Sequence, residues 1–410
     1  MDCEAIRDTV KRFGVNVLSF RSGGDDFAAT MQQALDSGEG ILYLPAGEYR
    51  ADRSLKIRSN TTLMLEDGAR ITAGDGACRK RGDFLLMNAP EESGSENITI
   101  IGGVWDGNYR ANPKSAMYDE NGYSGAMFNF MGVQGLTLRG LHLRNAAGYF
   151  TRFARLNGFI IEDIQFSHEV NMPNNDGIHL AGFCENGVIR RIHCLTRGTT
   201  RDDLIALNAD DCVTRTENRD LCRGFIRNVL IEDLYAEMCH CFVRLLSVTA
   251  EISSIFIRDV RGGCRSNAVN LDAARYCRAP LIDPADPAYT RGVGNIRNVT
   301  IEGMAVTQAG SSPLLNPETD AVGFAIHGFT RADDAGDADT ILLRNMSPSR
   351  IRLYGLSQGQ LEQALADSKL SKHEIVRHAD GTLGLDIITD YYDTLALRGG
   401  GFIYFSIDRI

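Results

Sequence analysis

The chain has 410 residues, with 53 acidic and 43 basic side chains and a formal charge of −10. That balance, with no basic stripe anywhere, excludes nucleic acid and anionic membrane surfaces as partners. Hydrophobic residues at 43% and charged residues at 23% are the proportions of a folded globular protein and exclude a disordered chain.

The opening segment, MDCEAIRDTVKRFGV, carries acidic groups and no apolar core, so it does not read as a signal peptide, and no window approaches transmembrane length. A cytoplasmic location is expected, with the ten cysteines as reduced, mostly buried thiols. Next come an expected short strand over Val15–Phe20, an N-cap at Asp25 and a helix over about 26–37 ended by Gly38. Phe27, Met31 and Leu35 recur at four-residue intervals, an apolar face suited to covering the open end of a stack.

From Ile41 onward the chain alternates short apolar runs with glycine or asparagine turns: ILYLPAGEYR, LKIRS, TTLMLEDGARI, FLLMNA and NITIIGGVWDG. A paired rhythm follows. Seven first phrases (AMFNFMGV, YFTRFARL, GIHLAGF, LIALNA, FVRLLSV, AVNLDAA, FAIHGF) are each succeeded by a second, such as GFIIEDIQF or NVLIEDLYA. The unit recurs every ~23 to 28 residues, with longer gaps where loops intrude at 208–224 and 276–294. A fixed strand order at that period means stacked coils, so the expectation is one all-β solenoid over 1–349. Residues 350–410, with the helix-like QLEQALADSKL and a final FIYFSIDRI, are expected to form a C-terminal α/β cap or a homo-oligomer contact.

Stacking turns sequence distance into proximity, because equivalent positions on neighbouring coils lie about 4.7–4.9 Å apart. Asn174, Asn175 and Asp176 precede GIHLAGF, Asp202 and Asp203 precede LIALNA on the next coil, and His240 precedes FVRLLSV on the one after. Three carboxylates and an imidazole therefore form one expected patch. Hydrolysis of a glycosidic bond needs one carboxylic acid to protonate the leaving oxygen and one carboxylate to activate water or attack. Crowding like charges keeps one of them protonated. The competing reading is a hydrogen-bonded Asn/Asp ladder at coil turns. A metal site at Cys239, His240 and Cys241 is disfavoured, since successive residues of a strand face opposite sides, which puts His240 away from the two cysteines.

The ordered phrases YLPAGEYR, SNTTLMLEDGARI and ENITIIGGVWDGN resemble the first coils of right-handed parallel β-helix proteins of the pectin-lyase type. Among these the chain is most similar to polygalacturonase-type glycoside hydrolases, family 28. Such enzymes carry Asn-Thr-Asp, Asp-Asp, Gly-His-Gly and Arg-Ile-Lys on successive coils and hydrolyse with inversion, without metal or cofactor. The resemblance implies that Asp202 is the general acid, that Asp176 and Asp203 position and deprotonate water, and that His240 joins them.

Two departures stand out. Cysteines replace both glycines around His240, and Asn270, Leu271 and Asp272 stand where arginine and lysine would bind a substrate carboxylate. Arg152, Arg244 and Arg275 are the candidate substitutes, with Asn174, His179, Asn270 and Asp272 completing the substrate-binding set. Asp210 and Asp211 read as a solvated loop, His142, His193 and His327 as structural, and Trp105, Tyr109, Tyr118 and Tyr123 as either a sugar-stacking rim or turn packing. The function expected is a glycosidase acting on a pectin-derived or related oligosaccharide. A uronide lyase or epimerase and a non-catalytic carbohydrate-binding or structural β-helix are the alternatives.

Overall fold

The computed structural model describes residues 3–21, 25–116, 118–211, 220–271, 294–332, 338–344, 347–390 and 392–410. One wall is a ladder of short parallel strands. It runs Leu55–Ile57, Leu86–Asn88, Phe128–Met131, Thr151–Ala154, Ile178–Leu180, Asp203–Asn208, Cys241–Leu246, Val269–Leu271, Leu315–Pro317 and Asp339–Leu343. Second phrases form the remaining walls as long strands, among them Asn157–Ser167, Cys184–Cys194, Ile226–Cys239, Ile252–Cys264 and Ile296–Gln308. The seventh pair is a correction: FAIHGF, expected as a first phrase, lies in the long strand Ala321–Arg331, because Leu315–Pro317 already takes the short-strand place on that coil. The architecture is the parallel β-helix expected from the sequence.

The long strands bend because their alternation skips a residue. Phe159 and Ile161, then Ile164 and Phe166, point into the core. Between the two pairs Asp163 has φ +57, a left-handed conformation that re-phases the strand and keeps both halves apolar side inward. Arg191, Asp233, Asp259, Gly303 and Gly328 repeat this corner in register. A second left-handed column runs through Asn97, Gly135, Gly158, Asn186, Asn228, Ser254, Asn298 and Gly323. Here the asparagine ladder exists: Asn97 donates to Asn60 at 2.8 Å, Asn186 to Asn157 at 2.9 Å and Asn228 to Asn186 at 3.2 Å. Beside the first corner, Arg139, Glu162, Arg190, Glu232, Arg258 and Glu302 occupy one register position with alternating charge. Arg190 Nε lies 2.6 Å from Glu162, and Arg258 Nε 2.7 Å from Glu232.

Both ends are closed. Helix α1 (Cys3–Phe13), which the sequence reading did not anticipate, packs Val10 against Met64 and Ile101. Helix α2 (Phe27–Asp36) buries Met31 and Leu35 in the core and stacks Phe27 on Tyr49 at 4.7 Å. Its cap is Asp26, not Asp25: the Asp26 carboxylate accepts from the Ala29 amide at 2.8 Å. The expected strand Val15–Phe20 shortens to Val15–Asn16, because Asn16 caps a 3₁₀ turn over Val17–Phe20. At the distal end the direction reverses. Phe402–Arg409 runs antiparallel between Ala321–Arg331 and Ser349–Leu356, and helix α3 (Gln358–Asp367) tucks Leu361 and Ala364 underneath. The outlying strand Lys372–Arg377 pairs with Leu383–Ile388 and carries Lys372, Glu374 and Arg377, charges that suit a solvated sheet edge. Among the described residues no helix is long and apolar enough to cross a membrane.

Candidate active site

Register alone assembles the carboxylates. The pairing Ile178↔Ile205 carries Asp176 opposite Asp203, and Asp203↔Cys241 carries Asp202 opposite His240. Asp176, Asp202 and Asp203 bring one oxygen each to within 4.8 Å of one another. A point between three atoms so spaced is at most about 2.8 Å from each, hydrogen-bonding distance to one water. A cation would fit there too, although the positive groups below already answer part of the charge. Asp176 and Asp203 are each 2% exposed and Asp202 is half-buried.

Burial, and then the charge of Asp202, push the Asp176 carboxyl up to about 6. Its Oδ2 is held 2.6 Å from Nδ1 of His179, while Oδ1 is buried without a hydrogen-bond partner. His179 is fully buried, and its ring is stacked on Tyr149 at 4.6 Å. Its Nε2 meets Asp211 Oδ2, also at 2.6 Å. Burial alone would depress this imidazole, but Asp211 and Asp176 together push it up to about 10. On the other side Arg244 places Nη1 3.5 Å from Asp203 Oδ2. His179, Ala206, Arg244 and Asn270 occupy one register row, in which the small Ala206 separates the two cationic side chains.

Asp211 is the residue that sequence reading missed. Asp210 and Asp211 do not form a solvated loop: each is only 6% exposed. Asp210 accepts from the amides of Val248, Thr249 and Ala250 at 2.6–2.7 Å and pairs with Arg223. Their adjacent charges, at the head of a densely charged stretch, gave no sign of burial. The one available signal for Asp211 was the row itself, since a histidine facing outward at position 179 needs an acceptor.

The other expected residues fall as follows. His240 sits at the break between two strands, with its Nδ1 3.3 Å from Arg265 Nη2 and its amide bonded to the Thr200 carbonyl. Arg152 is 3% exposed, donates to Asn129 at 2.7 Å and lies 4.8 Å over the Phe84 ring. The pairing Phe153↔Leu180 puts it in the row of His179, on the outward face of the wall. Arg244 is 9% exposed and faces Asp203. Asn270 is buried and accepts from Asn316 at 2.9 Å. Asn174 is a half-buried turn residue at φ +51, and its neighbour Asn175 ties the turn to the Gly148 carbonyl. Asp272 and Arg275 lie outside the described residues.

Cys239 and Cys241 are buried on different carbonyls, those of Gly263 and Val243, and burial holds both thiols well above the usual range. That fits structural cysteines. Of the two readings of the aromatics, packing fits better: Trp105 and Tyr123 are interior, Tyr109 packs on His168 at 4.8 Å, and only Tyr118 of the four is well exposed.

No protein-family model matches the chain. A pre-neck appendage protein of Bacillus phage B103 is 35% identical over 106 residues, 25% of this chain. The matched part spans only 12% of that relative's length. The family 28 exopolygalacturonase of Yersinia enterocolitica is a solved structure similar in fold, at a TM-score of 0.49 and 18% identity, covering 80% of this chain and 67% of the other. The family GH82 iota-carrageenase of A. fortis follows at 0.46 and 12%, covering 94% and 87%. At these identities the likeness is one of fold.

Proposed function

We propose that the chain is a glycoside hydrolase acting on a pectin-derived or related oligosaccharide. The observation that carries this reading is the set of three carboxylates gathered around a water-sized point, with one carboxyl raised to about 6. Asp202, the most exposed of the three, delivers a proton to the leaving oxygen. Asp203, paired with Arg244, orients the water together with Asp176. The water attacks the anomeric carbon as the glycosidic C–O bond breaks, its proton passes to the carboxylates, and the leaving group departs as an alcohol. Oxygens within 4.8 Å of one another are closer than the spacing of about 6.5–9.5 Å usual for inverting enzymes. Inversion therefore rests on the family resemblance and not on this spacing, and the anomeric configuration of the released sugar tests it.

The 35% identity to a phage appendage protein over a quarter of the chain supports a second reading, a carbohydrate-binding or structural β-helix. One experiment separates the two. The protein is incubated, with and without EDTA, with pectic and neutral oligosaccharides, while reducing ends and the absorbance of unsaturated sugars are followed. Reducing ends without absorbance, indifferent to EDTA and lost in Asp202→Asn, support the hydrolase. Absorbance or loss with EDTA points to a lyase, and binding without product to the appendage-like reading.

A further inference from the structure

We propose that His179 and Asp211 are a positioning pair that clamps one oxygen of Asp176 and so determines which oxygen, and with what proton affinity, Asp176 presents to the water. This rests on reading the three carboxylates as a hydrolytic centre.

The geometry is specific. Both ring nitrogens of His179 lie 2.6 Å from carboxylate oxygens, Nδ1 from Asp176 and Nε2 from Asp211. A neutral imidazole has a single N–H, so only the doubly protonated ring donates to both ionised carboxylates. The ring cannot swing away, because it is fully buried and stacked on Tyr149 with 15° between the planes. Asp211 therefore does for His179 what an orienting carboxylate does in other buried imidazole sites: it fixes orientation and keeps the charge in place.

The consequence for Asp176 is asymmetric. Oδ2 is committed to the imidazolium, whereas Oδ1, buried without a partner, is the free acceptor. A buried acceptor left open costs stability and calls for an explanation; a water at the centre of the three carboxylates supplies one. The imidazolium also holds down the proton affinity of Asp176 against burial and against Asp202. Without that charge Asp176 would hold its proton to higher pH and cease to orient water as a carboxylate.

The test has two readouts. In protein labelled with ¹⁵N-histidine and ¹³C-aspartate, ring resonances report the state of His179 and carboxyl resonances the titration of Asp176, whether or not a substrate is known. Wild type is expected to keep a doubly protonated His179 ring above pH 8. In Asp211→Asn the ring is expected to titrate nearer neutrality, with the Asp176 titration moving to higher pH. On a hydrolysed oligosaccharide, Asp211→Asn should lower kcat about 10–100-fold with KM within about twofold, and move the acid limb of the pH profile, where Asp176 must ionise, to higher pH. Asp211→Glu should restore part of both.

A neutral His179 ring in wild type at pH 7, or an Asp176 titration unmoved in Asp211→Asn, overturns the pair. The first needs no variant, so it decides even if Asp211→Asn fails to fold. If the resonances behave as expected but no oligosaccharide is turned over, the clamp stands and the hydrolase reading falls.

Discussion

Arg244 Nη1 lies 3.5 Å from Asp203 Oδ2, across two adjacent coils. The arginine thus neutralises the site from within. Its charge also lowers the proton affinity of Asp176, so Arg244→Met should move the acid limb of the pH–rate profile to higher pH. The peak rate should fall about tenfold, as Asp203 loses its partner. Initial rates from pH 4 to 9 check both effects, and a limb that stays in place would contradict the electrostatic role.

Asp202→Asn should cost about 10²–10⁴-fold on a natural glycosidic linkage. Because a good leaving group needs no proton, the same variant should keep most of its rate on an activated aryl glycoside. Comparing kcat/KM for the two substrates isolates the acid role, and equal losses on both would reassign Asp202.

His179 links the site to stability. Its folded-state value of about 10 lies above the ordinary 6.5, so the folded protein binds the extra proton between those values. Its contribution is therefore complete below about pH 6.5 and is lost as pH rises through about 10. Asp176, raised from 3.8 to about 6, acts in the same direction at lower pH: its contribution is present below about 3.8 and lost as pH passes 6. Thermal midpoints measured from pH 6 to 10.5 should fall in wild type, and the fall should be shallower in His179→Gln.

Glu162 is 1% exposed and faces Arg139, Arg190 and Arg191. Glu162→Ala should cost about 2–4 kcal/mol, since it leaves three arginines crowded without their shared partner while their partial exposure tempers the loss. Urea denaturation measures this.

Asn186 stands at φ +60 and bonds to both neighbours in its ladder. Asn186→Ala should destabilise by about 1–2 kcal/mol, the backbone penalty plus the lost bonds. Asn186→Gly should recover the backbone part, and denaturation midpoints of the two variants separate the terms.

Much of this was legible in the chain because β-helices write their geometry locally. The order of first and second phrases matched the two kinds of strand through the sixth pair and failed at FAIHGF, which lies in a long strand; phase alone placed Asp176 beside Asp203. Corner residues were harder to read: Asp163 and Arg191 are charged residues in left-handed conformations usually left to glycine and asparagine, and only the skipped alternation around them marks the bend. Helix α1 was passed over although Ile6 and Val10 are one helical turn apart on the face that packs against the coils. The burial of Arg152 and of Asp211 was missed for one reason. Charge suggests solvent, and nothing in their own segments announces the buried partners, Asn129 in one case and His179 in the other.

The register that joins Ile178 to Ile205 and Asp203 to Cys241 makes the centre a property of three successive turns of chain. Loops leaving the stack elsewhere can lengthen, shorten or change sequence without moving a carboxylate, so the surroundings of the centre are free to diverge while its three acids stay in place. A single-residue slip in either pairing has the opposite effect, since it would turn an acid toward the core and dismantle the centre at once.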